Sequence, residues 1–338
     1  MKKKILITGS SGFLGNLAIE YYSQNYDLVL VDKINSKHKN FYNVDVVDFE
    51  RLDQIICKEK PNIIFHFASE LFDSYNQEKI HKTNVLGTYN VYKSAIRNNV
   101  ENLIFISSIA IFEKNYEYLI NEIEPPSCKN PYGKTKAEIE KFLLNSNSNL
   151  DISIFRCPTI VEKSRAHRLG VLFEFLKEDC NLWLLGDGSN KIHIGSASDL
   201  FNAIDKSLTV KGKNIYNIGC EKNESMKETF EFLINKTGSK SKIRYLNKTF
   251  GLLCLKILSL LRLINFTDWH AKGLVSNIVL DISRIKNELN FLPNKSGAEL
   301  LLDTYNSYIN NASYEQKGSA IKPKMGFFKI NKLLSKII

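Results

Sequence analysis

Short apolar runs recur through the first half of the chain, at 4–8, 28–31, 62–68, 102–107 and 151–155. Between them lie stretches with helical spacing at 13–24, 49–59, 80–98 and 131–145. Runs that are apolar throughout, instead of alternating, predict strands covered on both faces. Strands that alternate with helices predict a parallel sheet with a helical layer on each side. Residues 214–219 (Asn-Ile-Tyr-Asn-Ile-Gly) read as one more strand, late in the sequence. The expected fold class is therefore α/β: a doubly wound parallel sheet with a smaller C-terminal substrate lobe. The expected division is a dinucleotide-binding domain over 1–155, rejoined by a return segment at about 192–220. The substrate lobe would comprise 156–191 and 221–315, followed by a basic amphipathic tail at 316–338.

Candidate chemistry begins at the end of the first strand. Gly9-Ser-Ser-Gly12-Phe13-Leu14-Gly15 directly follows it and opens the first helix. Glycines there let the backbone turn tightly and approach a pyrophosphate, which the helix N-terminus stabilises through its N–H groups and dipole. That context makes the domain Rossmann-like. Asp32 lies 17 residues beyond Gly15, at the end of the second strand. Its carboxylate can accept from both adenine-ribose hydroxyls and would repel a 2′-phosphate, which favours NAD over NADP. Lys33 beside it points the other way unless it is simply solvated. Asp45 and Val46, ending the next run, suit the adenine edge.

The spacing Gly-x-x-Gly-x-x-Gly, with Asp45-Val-Val-Asp48, Phe65-His-Phe-Ala-Ser69, Asn84-Val-Leu-Gly-Thr88 and Tyr132-x-x-x-Lys136, resembles the extended short-chain dehydrogenase/reductases. That family contains the nucleotide-sugar epimerases and dehydratases, and the resemblance covers about residues 1–310. It implies that Phe67, Ala68 and Ser69 line the cofactor and that Asn84 holds the central architecture near it. Ser107 and Pro158 join the expected cofactor contacts. His66 reads as a core residue.

Tyr132 and Lys136 lie one turn apart on one face of a helix that Pro131 opens. A free tyrosine, with a pKa near 10, is a poor base at neutral pH. A nearby ammonium and a positive nicotinamide both favour the phenolate. Tyr132 is thus expected to take the proton of a substrate hydroxyl as hydride leaves the carbon, with Lys136 also holding the nicotinamide ribose. Ser108, ending the fourth apolar run, is expected to hold the substrate oxygen, with Ser107 as its competitor.

The match departs from the family where a nucleotide sugar would be gripped. The turn Gly186-Asp-Gly-Ser189 is present, but Lys191-Ile-His-Ile-Gly195 follows it in place of the usual Arg-Asp pair. A diphosphate needs cations or N–H donors. Arg165 and Arg168 are the candidate replacements, with Thr159 also at the substrate; a solvated loop is the alternative for both arginines.

Composition adds three things. With 43% hydrophobic and 24% charged residues the chain has ordinary globular composition. The six cysteines are scattered without metal spacing, so no metal is expected. Of the net charge of +10, residues 316–338 supply six lysines and no acid, so a basic tail is indicated and no nucleic-acid partner. In that tail Phe327, Ile330, Leu333, Leu334 and Ile337 form one helical stripe, with Lys329, Lys332 and Lys336 opposite, a pattern that fits a membrane surface or a docked helix. Residues 251–264 are too short and interrupted to span a bilayer; they fit the small lobe or a membrane surface. The expected protein is a cytoplasmic, homodimeric, NAD-dependent epimerase of a diphospho-sugar, nucleotide- or polyprenyl-linked, peripheral at the membrane. A net dehydrogenase of a sugar or steroid-like alcohol and a non-catalytic NAD-binding protein are the alternatives.

Overall fold

The computed structural model describes residues 2–71, 76–191, 193–261 and 273–310, without the side chains of Arg165, His167 and Arg168. The tail at 316–338 and its stripe lie outside the described residues. The strands are β1 (Lys4–Thr8), β2 (Asp27–Asp32), β3 (Phe41–Asn43), β4 (Ile63–His66), β5 (Asn102–Ser108), β6 (Asp151–Cys157), β7 (Thr159–Val161), β8 (Leu182–Leu185), β9 (Ile194–Ser196), β10 (Lys213–Asn217) and β11 (Ile243–Leu246). The helices are α1 (Phe13–Tyr22), α2 (Phe49–Glu59), α3 (Gln77–His81), α4 (Gly87–Arg97), α5 (Pro131–Asn145), α6 (Gly170–Lys177), α7 (Ala197–Ser207), α8 (Met226–Thr237) and α9 (Lys248–Leu260), with two more at Ser283–Leu289 and Gly297–Asn310.

Seven strands form one sheet in the order β10-β6-β5-β4-β1-β2-β3, every pair parallel. The two-residue period of a strand explains why each run is apolar throughout. On β1, Ile5 and Ile7 enter the core under α1 and α7, while Leu6 enters the core on the other face with Leu52, Val91 and Ile139. The strand order reverses between β1 and β4, so a crevice opens there at the carboxyl ends of the strands, where doubly wound sheets bind their ligands.

The predicted helix at 80–98 is in fact broken. A single π turn, Lys82–Leu86, joins α3 to α4 and buries Thr83, Asn84 and Val85. Such turns cluster at functional sites because the extra residue re-aims a side chain, and here that side chain is Asn84. The three-residue β3 lies in the run that Asp45 and Val46 were expected to end, but it stops at Asn43. The smaller lobe carries two parallel pairs, β7–β9 and β8–β11, packed with α6, α8 and Gly297–Asn310 around Phe175, Leu182, Leu184, Leu233 and Leu301. Among the described residues no helix is long and apolar enough to cross a membrane.

Candidate active site

The loop between β1 and α1 needs glycine for steric reasons. Gly9 sits at φ +70°, and a Cβ there would come within 2.5 Å of the Ala68 nitrogen; one at Gly15 would lie 2.3 Å from the Gly9 carbonyl oxygen. The loop is thus pressed against the Phe67–Ala68 segment that follows β4. Side chains of Asp48, Asn130, Ser196 and Ser225 cap α2, α5, α7 and α8. The N-cap of α1 is Gly12, which offers no side chain, and the nearby Ser10 hydroxyl is buried with no partner. A helix start left open beside an orphaned hydroxyl fits a pyrophosphate. Phe13 and Leu14 form its first turn.

Asp32 is held in place by two backbone donors, Ser11 N–H on one carboxylate oxygen and Ile34 N–H on the other, both at 2.9 Å. Lys33 is ion-paired with Glu70, which also pairs with Lys79 at 3.2 Å. That pairing neutralises the lysine that argued for a 2′-phosphate. Asp45 accepts from Val47 N–H, and Val46 packs against Gly87 at the base of α4. Phe67 stacks on Phe65 with centroids 5.6 Å apart, and Ser69 donates to Asn84 at 3.1 Å. Asn84 also accepts from Glu70 N–H at 2.8 Å and donates to Thr135 on α5 at 3.1 Å. It therefore joins the segment after β4 to the helix carrying Tyr132.

His66 is part of the core, as its sequence context suggested. Thr88 donates to the Asn84 carbonyl, so the hydroxyl oxygen accepts from His66 Nε2–H at 2.8 Å, and Nδ1 accepts from Thr8 at 2.7 Å. Burial, then the Lys136 charge, lowers its pKa to about 3. It stays neutral.

Pro131 and Asn130 set the reactive helix. Asn130 Oδ1 accepts from Gly133 N–H at 2.6 Å, and Pro131 occupies the first helical position, where no donor is needed. Tyr132 then lies buried, with the hydroxyls of Ser108 and Ser69 near enough to its phenol to favour the phenolate against burial. Lys136 donates to the Ile106 carbonyl at 2.8 Å and sits 5.7 Å from the Tyr132 ring centre. In the protein alone the ammonium does not lower the phenol, contrary to expectation. Burial pushes Tyr132 up to about 12 against the pull of Ser108 and Ser69, and pushes Lys136 down to about 8. The reason is that the lysine faces the strand carbonyl.

Ser108 accepts from Ala110 N–H at 3.1 Å, and its register partner on β6 is Cys157, a buried thiol near Tyr132 and Lys136 that burial raises to about 12. Ser107 points to the other side of the strand and donates to Glu140 at 2.5 Å, so only its backbone faces the expected cofactor. Glu140 is one turn beyond Lys136 on α5 and holds Arg156 of β6 through contacts of 2.8–3.2 Å. The pair was missed in the sequence, although Lys136 and Glu140 share a helical face.

Ile109, the residue after Ser108, lines a cavity of about 440 Å³ that extends into the small lobe. Its wall is largely apolar: Ile109, Val161, Leu172, Phe230, Ile278 and Leu301 among others, with Thr159, Lys191, His193 and Ser276 as polar members. Pro158, between β6 and β7, packs near Gly195. His193 is fixed by Asn223 at 2.9 Å and the Ile218 carbonyl at 3.1 Å, and burial lowers it to about 4. Arg165 and Arg168 belong to the 3₁₀ segment Lys163–Leu169, whose last residue lines the cavity; their side chains lie outside the described residues. Among the described residues no cluster of three or more His, Cys, Asp or Glu side chains could hold a metal.

A glycine turn at the switch point of a parallel sheet, facing a Ser–Tyr–Lys set, defines a dinucleotide-dependent site of the short-chain dehydrogenase/reductase class. The chain belongs to the NAD dependent epimerase/dehydratase family, whose model matches residues 5–219. It is similar to a putative UDP-glucose 4-epimerase of Methanocaldococcus jannaschii, with 25% identity over 260 residues, covering 71% of this chain and 85% of that one. Among solved structures, Bordetella bronchiseptica WbmG in complex with NAD and UDP superposes with a TM-score of 0.73 at 19% identity, over 92% of this chain and 95% of that one. Thermotoga maritima UDP-glucose 4-epimerase with UDP-glucose gives 0.72 at 21% identity, over 91% and 99%. The fold is thus Rossmann-like, the protein is an enzyme of this family, and its cofactor is NAD.

Proposed function

We propose that the protein is a C4-epimerase of a diphospho-sugar, nucleotide- or polyprenyl-linked, serving surface-polysaccharide assembly. One observation carries this reading: the buried phenol of Tyr132 lies beside Ser108 and one turn before Lys136, next to the cavity that Ile109 and Thr159 line. Gly9, Gly12 and Gly15 would hold the NAD pyrophosphate, Asp32 its adenine ribose, and Lys136 its nicotinamide ribose. NAD supplies the reversible acceptor for the hydride.

This chain's residues manage the proton. Ser108 and Tyr132 together hold the C4 oxygen of the sugar, each able to donate or accept. Tyr132 removes the hydroxyl proton as the carbon is oxidised and returns it when the opposite face is reduced. Its high pKa suits the return step, and the positive charge of the bound cofactor favours the removal step. A cavity of about 440 Å³ would give the keto-sugar room to turn beside a largely apolar wall. Ile109 and Ala110 follow Ser108 where a dehydratase needs acids to expel water, which favours epimerisation.

Incubation of the purified protein with a UDP-hexose, and separately with a polyprenyl-diphospho-hexose, tests this. The C4 epimer should form without added NAD. NADH rising in step with product would make it a net dehydrogenase, and turnover of neither donor by NAD-loaded protein would overturn the reading.

A further inference from the structure

We propose that α9 is a membrane-contacting helix whose outer face lies in the interface of an anionic bilayer. Phe250, Leu253, Ile257, Leu260 and Leu261 are all exposed, Leu260 at 83%. Their spacing of three, four, three and one residues places them on one helical face. The opposite side is fixed inward: Gly251 is buried, and a Cβ there would come within 2.2 Å of Leu185 on β8. So large a row of exposed apolar side chains marks a contact surface.

The charges around it say what that surface meets. Residues 236–261 contain Lys236, Lys240, Lys242, Arg244, Lys248 and Lys256 and no aspartate or glutamate. The five lysines are exposed, and none of them is ion-paired with a carboxylate among the described residues. Lys248 comes close enough to Asp187 to help lower its carboxyl, after that group's bonds to Ser189. On α9 itself Lys256 borders the apolar row, while Lys248 packs over Gly186 on the other side. An exposed apolar row in a segment with five exposed lysines and no acid favours an anionic leaflet, into which the row inserts. A second copy would set cations against cations. The chain's own tail is a poor cover for the same reason, since residues 316–338 hold six lysines and no acid.

Placement in the chain links this face to the site. Only residues 262–272 separate the end of α9 from Gly273 and Leu274, which line the cavity. The membrane contact itself does not depend on which reaction the site performs.

Co-sedimentation of the full-length protein with phosphatidylglycerol–phosphatidylcholine vesicles, and with pure phosphatidylcholine, tests the proposal. Two variants are compared with wild type: Leu253→Ser/Ile257→Ser/Leu260→Ser, and Lys240→Gln/Lys242→Gln/Lys256→Gln. These side chains are exposed, so the thermal transition should be retained; Leu260→Ser alone serves if the triple variant fails to fold. Wild type should bind the anionic vesicles, less at high salt, and each triple variant about tenfold less or weaker still. Wild type remaining in the supernatant would overturn the proposal. So would an apolar-face variant that sediments like wild type, which would assign binding to another segment. Loss of self-association in light scattering, with vesicle binding unchanged, would also overturn it by making the face a contact between copies.

Discussion

The two sides of Ser108 are built by opposite means. Toward the cofactor, polar groups are fixed by hydrogen bonds at 2.7–3.1 Å: Asp32 by two amides, Asn84 between Glu70 and Thr135, His66 between Thr8 and Thr88. Toward the carrier, the cavity is walled by aliphatic and aromatic side chains from separate segments, with Lys191 and His193 among its few polar members. A hydrogen-bonded site demands one ligand geometry, while an apolar wall accepts many shapes. On the proposed reading the cofactor is therefore strongly specified, and the carrier of the sugar chiefly by size and polarity.

Substitutions should break that contrast unequally. The largest effect is expected at the junction itself. Tyr132→Phe removes the proton carrier while the cofactor contacts remain, so turnover should fall about 10²–10⁴-fold with NAD affinity within a few-fold of wild type. Steady-state rates and a cofactor-binding titration separate the two. A rate close to wild type would take Tyr132 out of the chemistry.

Next is Asp32→Ala. The lost hydrogen bonds to a charged acceptor should weaken NAD binding about tenfold or more, and narrow the preference over NADP. Competitive titration with both cofactors reads this. Tighter NADP binding to the wild type would show that the Lys33–Glu70 pair does not set the preference.

The fold and the cofactor side were legible in the sequence because both depend on local rules. A strand buried on both faces must be apolar throughout, and only glycine fits at Gly9 and Gly15, so both leave a mark on a single stretch of chain. Pro131 and Asn130 likewise announce the start of α5. The carrier side left no such mark. Ile109, Leu172, Phe230 and Leu301 are ordinary core residues until the chain has folded and brought them to one wall. The π turn that aims Asn84 also reads as uninterrupted helix, since its residues keep helical periodicity on either side. The raised phenol of Tyr132 required coordinates too, because it follows from the burial of the ring in the folded chain and not from its spacing to Lys136.

A smaller effect concerns pH and stability. Lys136 falls from its ordinary 10.5 to about 8 through burial. Between those values the unfolded chain holds a proton that the folded protein has released, so stability from this group rises with pH through that window. At neutral pH the buried ammonium is a cost. Lys136→Met should therefore lose activity yet melt higher than wild type below pH 8, by roughly 2 °C or more, with the gap closing toward pH 10. Calorimetry across that range checks it; a variant that melts lower at pH 7 would show that the bond to Ile106 outweighs desolvation.

The smallest effect is expected on the carrier side. Lys191→Gln should raise the KM for a diphospho-sugar by about threefold, with kcat and NAD affinity little changed, as befits an exposed cation at the rim of the cavity. A change in NAD affinity would place Lys191 on the wrong side of the contrast.

The central claim is that one hydride leaves C4 and returns to the same carbon. The most direct measurement uses a diphospho-hexose deuterated at C4, turned over by the purified protein and analysed by mass spectrometry and NMR. Epimerisation through transient oxidation predicts that the inverted product keeps its deuterium at C4, with no NADH released. Deuterium lost to solvent, or transferred to free NADH in step with an oxidised sugar, would contradict it.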